Sequence, residues 1–135
     1  MKVIITGGCG GMGRFLVRAV ARLKNIESIT IADLAESSAK EFAREFDHRV
    51  SGIGLDVSDY KVMSEIFECQ DIVLNTTGPF FRFGKPVLKA ALNSNCHYMD
   101  ICDDWEPTEE MLALDGEAKS KNLTAIVGLG ASPGL

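Results

Sequence analysis

The stretch Val3–Gly13, which reads VIITGGCGGMG, decides the fold. A β-branched run stops at Thr6 and a glycine loop follows at once, with Gly8, Gly10 and Gly13 spelling G-x-G-x-x-G. A helical pattern then begins. Asp33 stands twenty residues beyond Gly13 and closes a second β-branched run, Ile29–Ile31. A lone G-x-G-x-x-G says little. Set between a strand and a helix, with an acid at the end of the next strand, it marks a dinucleotide site. The expectation is a chain that holds NAD or NADP.

Each loop residue has a task in that reading. Gly8 allows the tight turn out of the first strand, Gly10 leaves room for a pyrophosphate, and Gly13 lets the first helix pack closely. Cys9, Gly11 and Met12 complete the cofactor-binding loop. The helix N-terminus offers free N–H groups and about half a positive charge. No Lys or Arg lies between Thr6 and Gly13, so backbone amides carry the phosphate contacts. A P-loop would need Gly-Lys-Ser/Thr here, and that triplet is absent.

Asp33 is placed to accept hydrogen bonds from the adenosine ribose hydroxyls, or to cap the next helix; the two roles are compatible. Leu34, beside it, joins the cofactor-binding set and brings no cation. A 2′-phosphate would meet like charge, so NAD is favoured. If Asp33 turned away, Ser37, Ser38 and Lys40 would shape a pocket for NADP. Asp56 and Val57 close the third strand, where the adenine edge lies; Asp56 either accepts from the adenine amino group or serves a helix N-terminus. Asn75, Thr76, Thr77, Gly78 and Pro79 close the fourth strand, on the side expected for the nicotinamide ribose. Phe80 and Phe81 follow as a wall for the nicotinamide, read as exposed aromatics in a loop.

A chain of 135 residues makes one domain, 1–135, with a single core. A net charge of −5 disfavours nucleic acid as a partner. No apolar run approaches the ~20 residues that span a membrane, so no membrane partner is expected. Cys9, Cys69, Cys96 and Cys102 form no C-x-x-C, and His48 and His97 show no ligand spacing with them, so no metal is expected. Free thiols and an N-terminus that enters a strand directly suggest a cytoplasmic protein.

Strands and helices alternate along the whole chain. Strands are expected at Lys2–Thr6, up to Asp33, Arg49–Val57, Asp71–Thr76, His97–Ile101 and Leu123–Val127. The first helix shows Met12, Leu16, Ala19, Val20 and Leu23 on one face, with Arg14, Arg18 and Arg22 as a solvated stripe on another. Ser58 or Asp59 caps a third helix. Pro86 suits the first turn of a fourth. A fifth runs from Pro107 to about Lys121. The fold class is α/β: a doubly wound Rossmann parallel sheet of about six strands in a three-layer α/β/α sandwich.

Val3–Gly13, N-x-x-G-P-F at Asn75–Phe80, H-Y-x-D at His97–Asp100, and G-L-G-A-S-P-G at Gly128–Gly134 together resemble the N-terminal NAD(P)-binding domain of saccharopine dehydrogenase-like enzymes. That family includes saccharopine reductases and lysine 6-dehydrogenases. The resemblance spans essentially the whole chain. It implies a longer enzyme that oxidises or reduces a C–N bond of a small-molecule amino-acid substrate with NAD(P), and a homodimer formed through a second domain. It places Tyr98 and Asp100 on the substrate side, with Asp100 a candidate for the substrate ammonium. From the residues alone, Asp100 is an acid at a strand end, equally suited to a site or to a loop cap. Asp103, Asp104 and Glu106 read as solvated.

Two other classes were weighed against this one. A short-chain dehydrogenase or epimerase suits Thr6–Gly13, but its chemistry needs Tyr-x-x-x-Lys. Here Ser64 follows Tyr60 at that spacing and Cys102 follows Tyr98. An NAD(H)-sensing regulatory domain fits the length but not Gly78–Phe81, which suits an active-site cleft.

Overall fold

The computed structural model describes residues 1–130, so residues 131–135, with the last part of the closing glycine motif, lie outside it. Six strands form one sheet: β1 (Lys2–Thr6), β2 (Ser28–Asp33), β3 (Val50–Gly54), β4 (Ile72–Asn75), β5 (His97–Asp100) and β6 (Ala125–Ile126). Their order is β3-β2-β1-β4-β5-β6, every neighbouring pair parallel. The helices are α1 (Gly11–Ala21), α2 (Glu36–Ala43), α3 (Tyr60–Phe67), α4 (Phe80–Asn93), α5 (Trp105–Leu112) and α6 (Asp115–Ser120). This is the expected doubly wound α/β sheet. The strand order reverses between β1 and β4, and such a switch point opens a crevice at the strands' C-terminal ends.

Alternating strand side chains build two cores. Val3, Ile5, Ile29, Ile31 and Leu74 pack under α1 and α2 through Val17, Val20, Ala39 and Phe42. Ile4, Val73 and Tyr98 face the other way, against Met63, Phe67, Val87, Leu88 and Met111 of α3, α4 and α5. The sheet lies between two helical layers.

Several local expectations change. The buried face of α1 is Gly13, Val17 and Val20, while Met12 and Leu23 are exposed. Their apolar side chains set the expected face about one residue out of phase. The arginine stripe is partly engaged: the guanidinium carbons of Arg14 and Arg18 lie 4.4 and 4.9 Å from the centre of the Phe42 ring. Strand β3 stops at Gly54, because Asp56 turns back to accept from the Ser58 amide at 2.9 Å. Asp59 caps α3 by accepting from the Val62 amide at 3.1 Å. The fourth helix begins at Phe80, so Pro86 sits inside it and not in its first turn. Pro86 has no N–H to give the Arg82 carbonyl, and both residues are on the exposed face of the helix. The expected fifth helix is two helices, with Leu114 between them.

The close approach of α2 to β3 depends on Gly52, where a Cβ would lie 2.2 Å from the Ala39 carbonyl carbon. Gly116, in α6, has open space around it. Gly52→Ala is expected to cost about 3 kcal/mol, and Gly116→Ala to add about 0.5–1 kcal/mol. Urea melts of both variants check this; equal midpoints would contradict the packing. The thiols give a second check. Cys96 is buried and donates to the Phe67 carbonyl at 3.1 Å, and burial pushes its pKa to about 11, whereas Cys69 is exposed. Iodoacetamide at pH 8 is expected to label Cys69 in the folded protein and Cys96 only after unfolding.

Candidate functional site

The glycine loop leaves β1 through Gly7, which takes φ +69°. Gly7, not Gly8, therefore makes the turn. Gly8 fits closely against β2 instead: a Cβ there would lie 2.7 Å from the Ile31 Cγ2. Gly13 brings α1 onto the loop, since its own Cβ would lie 2.1 Å from the Gly7 carbonyl oxygen. Gly10 and Gly11 are exposed and face open space except for the Gly7 oxygen near Gly10. Helix α1 has no side-chain cap, and its first backbone bond runs from the Arg14 amide to the Gly10 carbonyl at 2.9 Å. Among the described residues the amides of Gly11, Met12 and Gly13 consequently have no acceptor. Three free N–H groups at a helix start, with no cation in the loop, suit a pyrophosphate.

Asp33 ends β2 and faces the loop. One carboxylate oxygen accepts from the Cys9 amide at 2.9 Å and the other from the Ala35 amide at 3.2 Å. It thus holds the loop and the β2–α2 turn together, and it does not turn away toward Ser37. Lys40 is paired with Glu36 at 2.6 Å. Burial, and then the nearby Asp33 carboxylate, raise the Cys9 thiol pKa. The Ser58 hydroxyl and amide lower the Asp56 pKa, so Asp56 both serves the turn before α3 and faces the site.

Gly7, Asp33, Leu34, Leu55, Asp56, Val57, Thr77, Gly78 and Phe83 line one crevice of about 240 Å³ at the switch point, while Gly8–Gly13 lie outside its lining. Leu34 is 76% exposed at its rim. The Thr77 hydroxyl is buried without any partner among the described residues. A buried hydroxyl without a partner at the crevice fits a polar ligand there. Gly7, Leu55 and Phe83 were not singled out from the sequence. Gly7 is the first of a glycine pair, and Leu55 precedes Asp56, so weak signals existed. Phe83 gave none that separates it from its aromatic neighbours.

The nicotinamide-side residues divide. Thr76 binds backbone, its hydroxyl donating to the Thr6 carbonyl at 2.8 Å. The Gly78–Pro79 peptide is cis. Phe80 is buried in the core and only Phe81, 75% exposed, stands free, so these aromatics open a helix and do not form a loop wall. Asn75, Tyr98 and Asp100 are all buried. Asp100 is 2% exposed and both of its oxygens are taken: Oδ2 by the Tyr98 hydroxyl at 2.8 Å, Oδ1 by the Cys102 and Gly128 amides at 3.0 and 2.8 Å. Neither Tyr98 nor Asp100 lines the crevice. In this domain β5 buries both residues, and their polar atoms are satisfied internally. Burial, then the Asp100 charge, raise the Tyr98 pKa well above its ordinary value.

Comparison with known proteins matches this geometry to a family. Residues 3–126 match the model of the saccharopine dehydrogenase NADP-binding domain. A Caenorhabditis elegans "lipid droplet localized protein" is 24% identical over 118 residues, covering 81% of this chain and 28% of its own length. An Arabidopsis thaliana "probable mitochondrial saccharopine dehydrogenase-like oxidoreductase" is 28% identical over 123 residues, covering 82% and 27%. The solved saccharopine dehydrogenase (L-Glu forming) from Saccharomyces cerevisiae superposes with a TM-score of 0.81 at 20% identity, over 99% of this chain and 28% of that one. That likeness shows the fold. The chain spans under a third of the length of these relatives. The cytoplasmic expectation is overturned, since the relatives are named for lipid droplets and mitochondria. Among the described residues no helix is long and apolar enough to cross a membrane. The chain belongs to the saccharopine dehydrogenase NADP-binding domain family.

Proposed function

We propose that this chain is the cofactor-binding part of an oxidoreductase acting on a C–N bond of an amino acid, and that it prefers NAD to NADP. The observation that carries the cofactor preference is Asp33, fixed at the end of β2 by the Cys9 and Ala35 amides. The first-turn amides of Gly11, Met12 and Gly13 would hold the pyrophosphate. Asp33 would accept from the ribose hydroxyls beside Leu34, Val57 and Leu55 would pack on the adenine, and Thr77 would offer its unpaired hydroxyl. When bound, the nicotinamide supplies a hydride donor or acceptor. A 2′-phosphate would stand against the Asp33 carboxylate, with no Lys or Arg lining the crevice. The family is named for NADP, and the preference for NAD rests on Asp33 alone.

The C–N chemistry rests on the family and on the names its relatives bear. No described residue in the crevice is an acid or base aimed at such a bond. We propose that substrate contacts come from a second domain, which also forms a homodimer in the longer protein. Titration of this chain with NADH and NADPH is expected to give at least ~10-fold tighter NADH binding. Asp33→Ala is expected to weaken NADH by ~10-fold and to narrow the gap. Equal wild-type affinities would refute the preference, and no binding of either by the folded chain would refute the cofactor role.

A further inference from the structure

Three polar residues end neighbouring strands in one register row: Thr6 on β1 lies opposite Asn75 on β4, and Asn75 opposite Asp100 on β5. Tyr98 rises beneath them from the same face of β5 and is fully buried. Their hydrogen bonds form a chain. The Tyr98 hydroxyl donates to Asp100 at 2.8 Å, the Asn75 Nδ2 donates to the Tyr98 hydroxyl at 3.0 Å, and the Asn75 Oδ1 accepts from Thr6 Oγ1 at 2.8 Å and from the Thr77 amide at 3.0 Å.

We infer that Tyr98 and Asp100 are positioning residues that set the direction of this relay and so hold the Thr77–Gly78 wall of the crevice. The argument is a count of protons. Asp100 accepts only, and its other oxygen already takes the Cys102 and Gly128 amides. Tyr98 has one hydroxyl proton and gives it to Asp100, so toward Asn75 it can only accept. Asn75 must turn its NH₂ to Tyr98. Its carbonyl oxygen is then the only end left for Thr77, whose amide needs an acceptor. With the Asn75 amide reversed, NH₂ would meet N–H at Thr77 and carbonyl would meet the Tyr98 lone pairs. One arrangement satisfies every member: Asp100 imposes it from one end, and the Thr77 amide requires the same orientation of Asn75 at the other. The burial-raised Tyr98 pKa keeps the hydroxyl proton in place. Neither residue touches the crevice, yet both act on its wall through Asn75.

This inference rests on the crevice being the NAD(P) site, and its test separates the two. Amide exchange of the ligand-free 135-residue chain is followed by NMR in wild type, Tyr98→Phe, Asp100→Asn and Thr6→Val. Thr6→Val removes a buried donor from the same Asn75 oxygen but leaves the direction intact. Relative to the Ile29 and Ile31 amides of the central sheet, Thr77 exchange is expected to rise ~10-fold in Tyr98→Phe and Asp100→Asn and to change less than ~2-fold in Thr6→Val. If Tyr98→Phe does not fold, Asp100→Asn, of the same size, carries the comparison. NADH dissociation constants are expected to rise ~5-fold in both relay variants, with 5′-AMP, held at the Asp33 end, within ~2-fold of wild type. Unchanged Thr77 exchange in the relay variants, equal loosening by Thr6→Val, or parallel losses of NADH and AMP would each overturn the inference. Failure of wild type to bind NADH would remove the cofactor reading, while the exchange rates would still decide the relay.

Discussion

The rest of the site depends on the contact between Gly13 and the Gly7 carbonyl. Helix α1 sits so low over the loop that no side chain fits between them. That closeness starts α1 at Gly11, without a capping side chain, and leaves its first-turn amides free. It also brings the Cys9 amide to the end of β2, within reach of the Asp33 carboxylate. A methyl at Gly13 would lift the helix, and the amides and the acid would separate together. The positive end of the helix and the one carboxylate of the crevice's β2 edge are therefore set by a single packing distance.

How much of this was legible follows from whether a signal was local. The glycine spacing, the two β-branched runs and Asp33 were all readable, because strand, turn and helix start are local in sequence. The face of α1 was read about one residue out of phase. Met12 and Leu23 are apolar but exposed, and only the sheet's position decides between adjacent stripes. Pro86 misled for a related reason. A proline marks a helix start unless its missing bond falls on the solvent face, and that face is fixed by how α4 lies on the sheet. Gly7 was passed over because either glycine of the pair supplies a turn, and the choice depends on Thr76 beside it.

Asp100 shows the limit most clearly. The sequence placed an acid at the end of a strand, on the correct edge of the sheet. Its partners come from β5 itself, from the Cys102 loop and from Gly128, some twenty-eight residues away. Tyr98 stands two residues before it on the same face of β5, and the register of β1, β4 and β5 puts it in line with Asn75 and Thr6. The stretches that gave the family resemblance, Asn75–Phe80, His97–Asp100 and the start of Gly128–Gly134, touch one another through these bonds. Their joint appearance in one chain has a physical basis: each supplies a donor or acceptor that the others need.

A buried carboxylate without a cation is costly, and three donors only offset that cost. An apolar residue at position 100 would fill the same space without leaving a charge to satisfy. What an acid adds there is a fixed sense of donation, since it is the one member that cannot donate while ionised. Without it the Tyr98 hydroxyl could donate to Asn75 instead and compete with the Thr77 amide for the orientation of the Asn75 side chain. The acid removes that freedom at the far end from the crevice, and the result is felt at Thr77, in the wall that a dinucleotide would touch. Stability argues against such a residue and positional definition argues for it. Asp100 therefore matters to the site through what it orders, although it contacts nothing in the crevice.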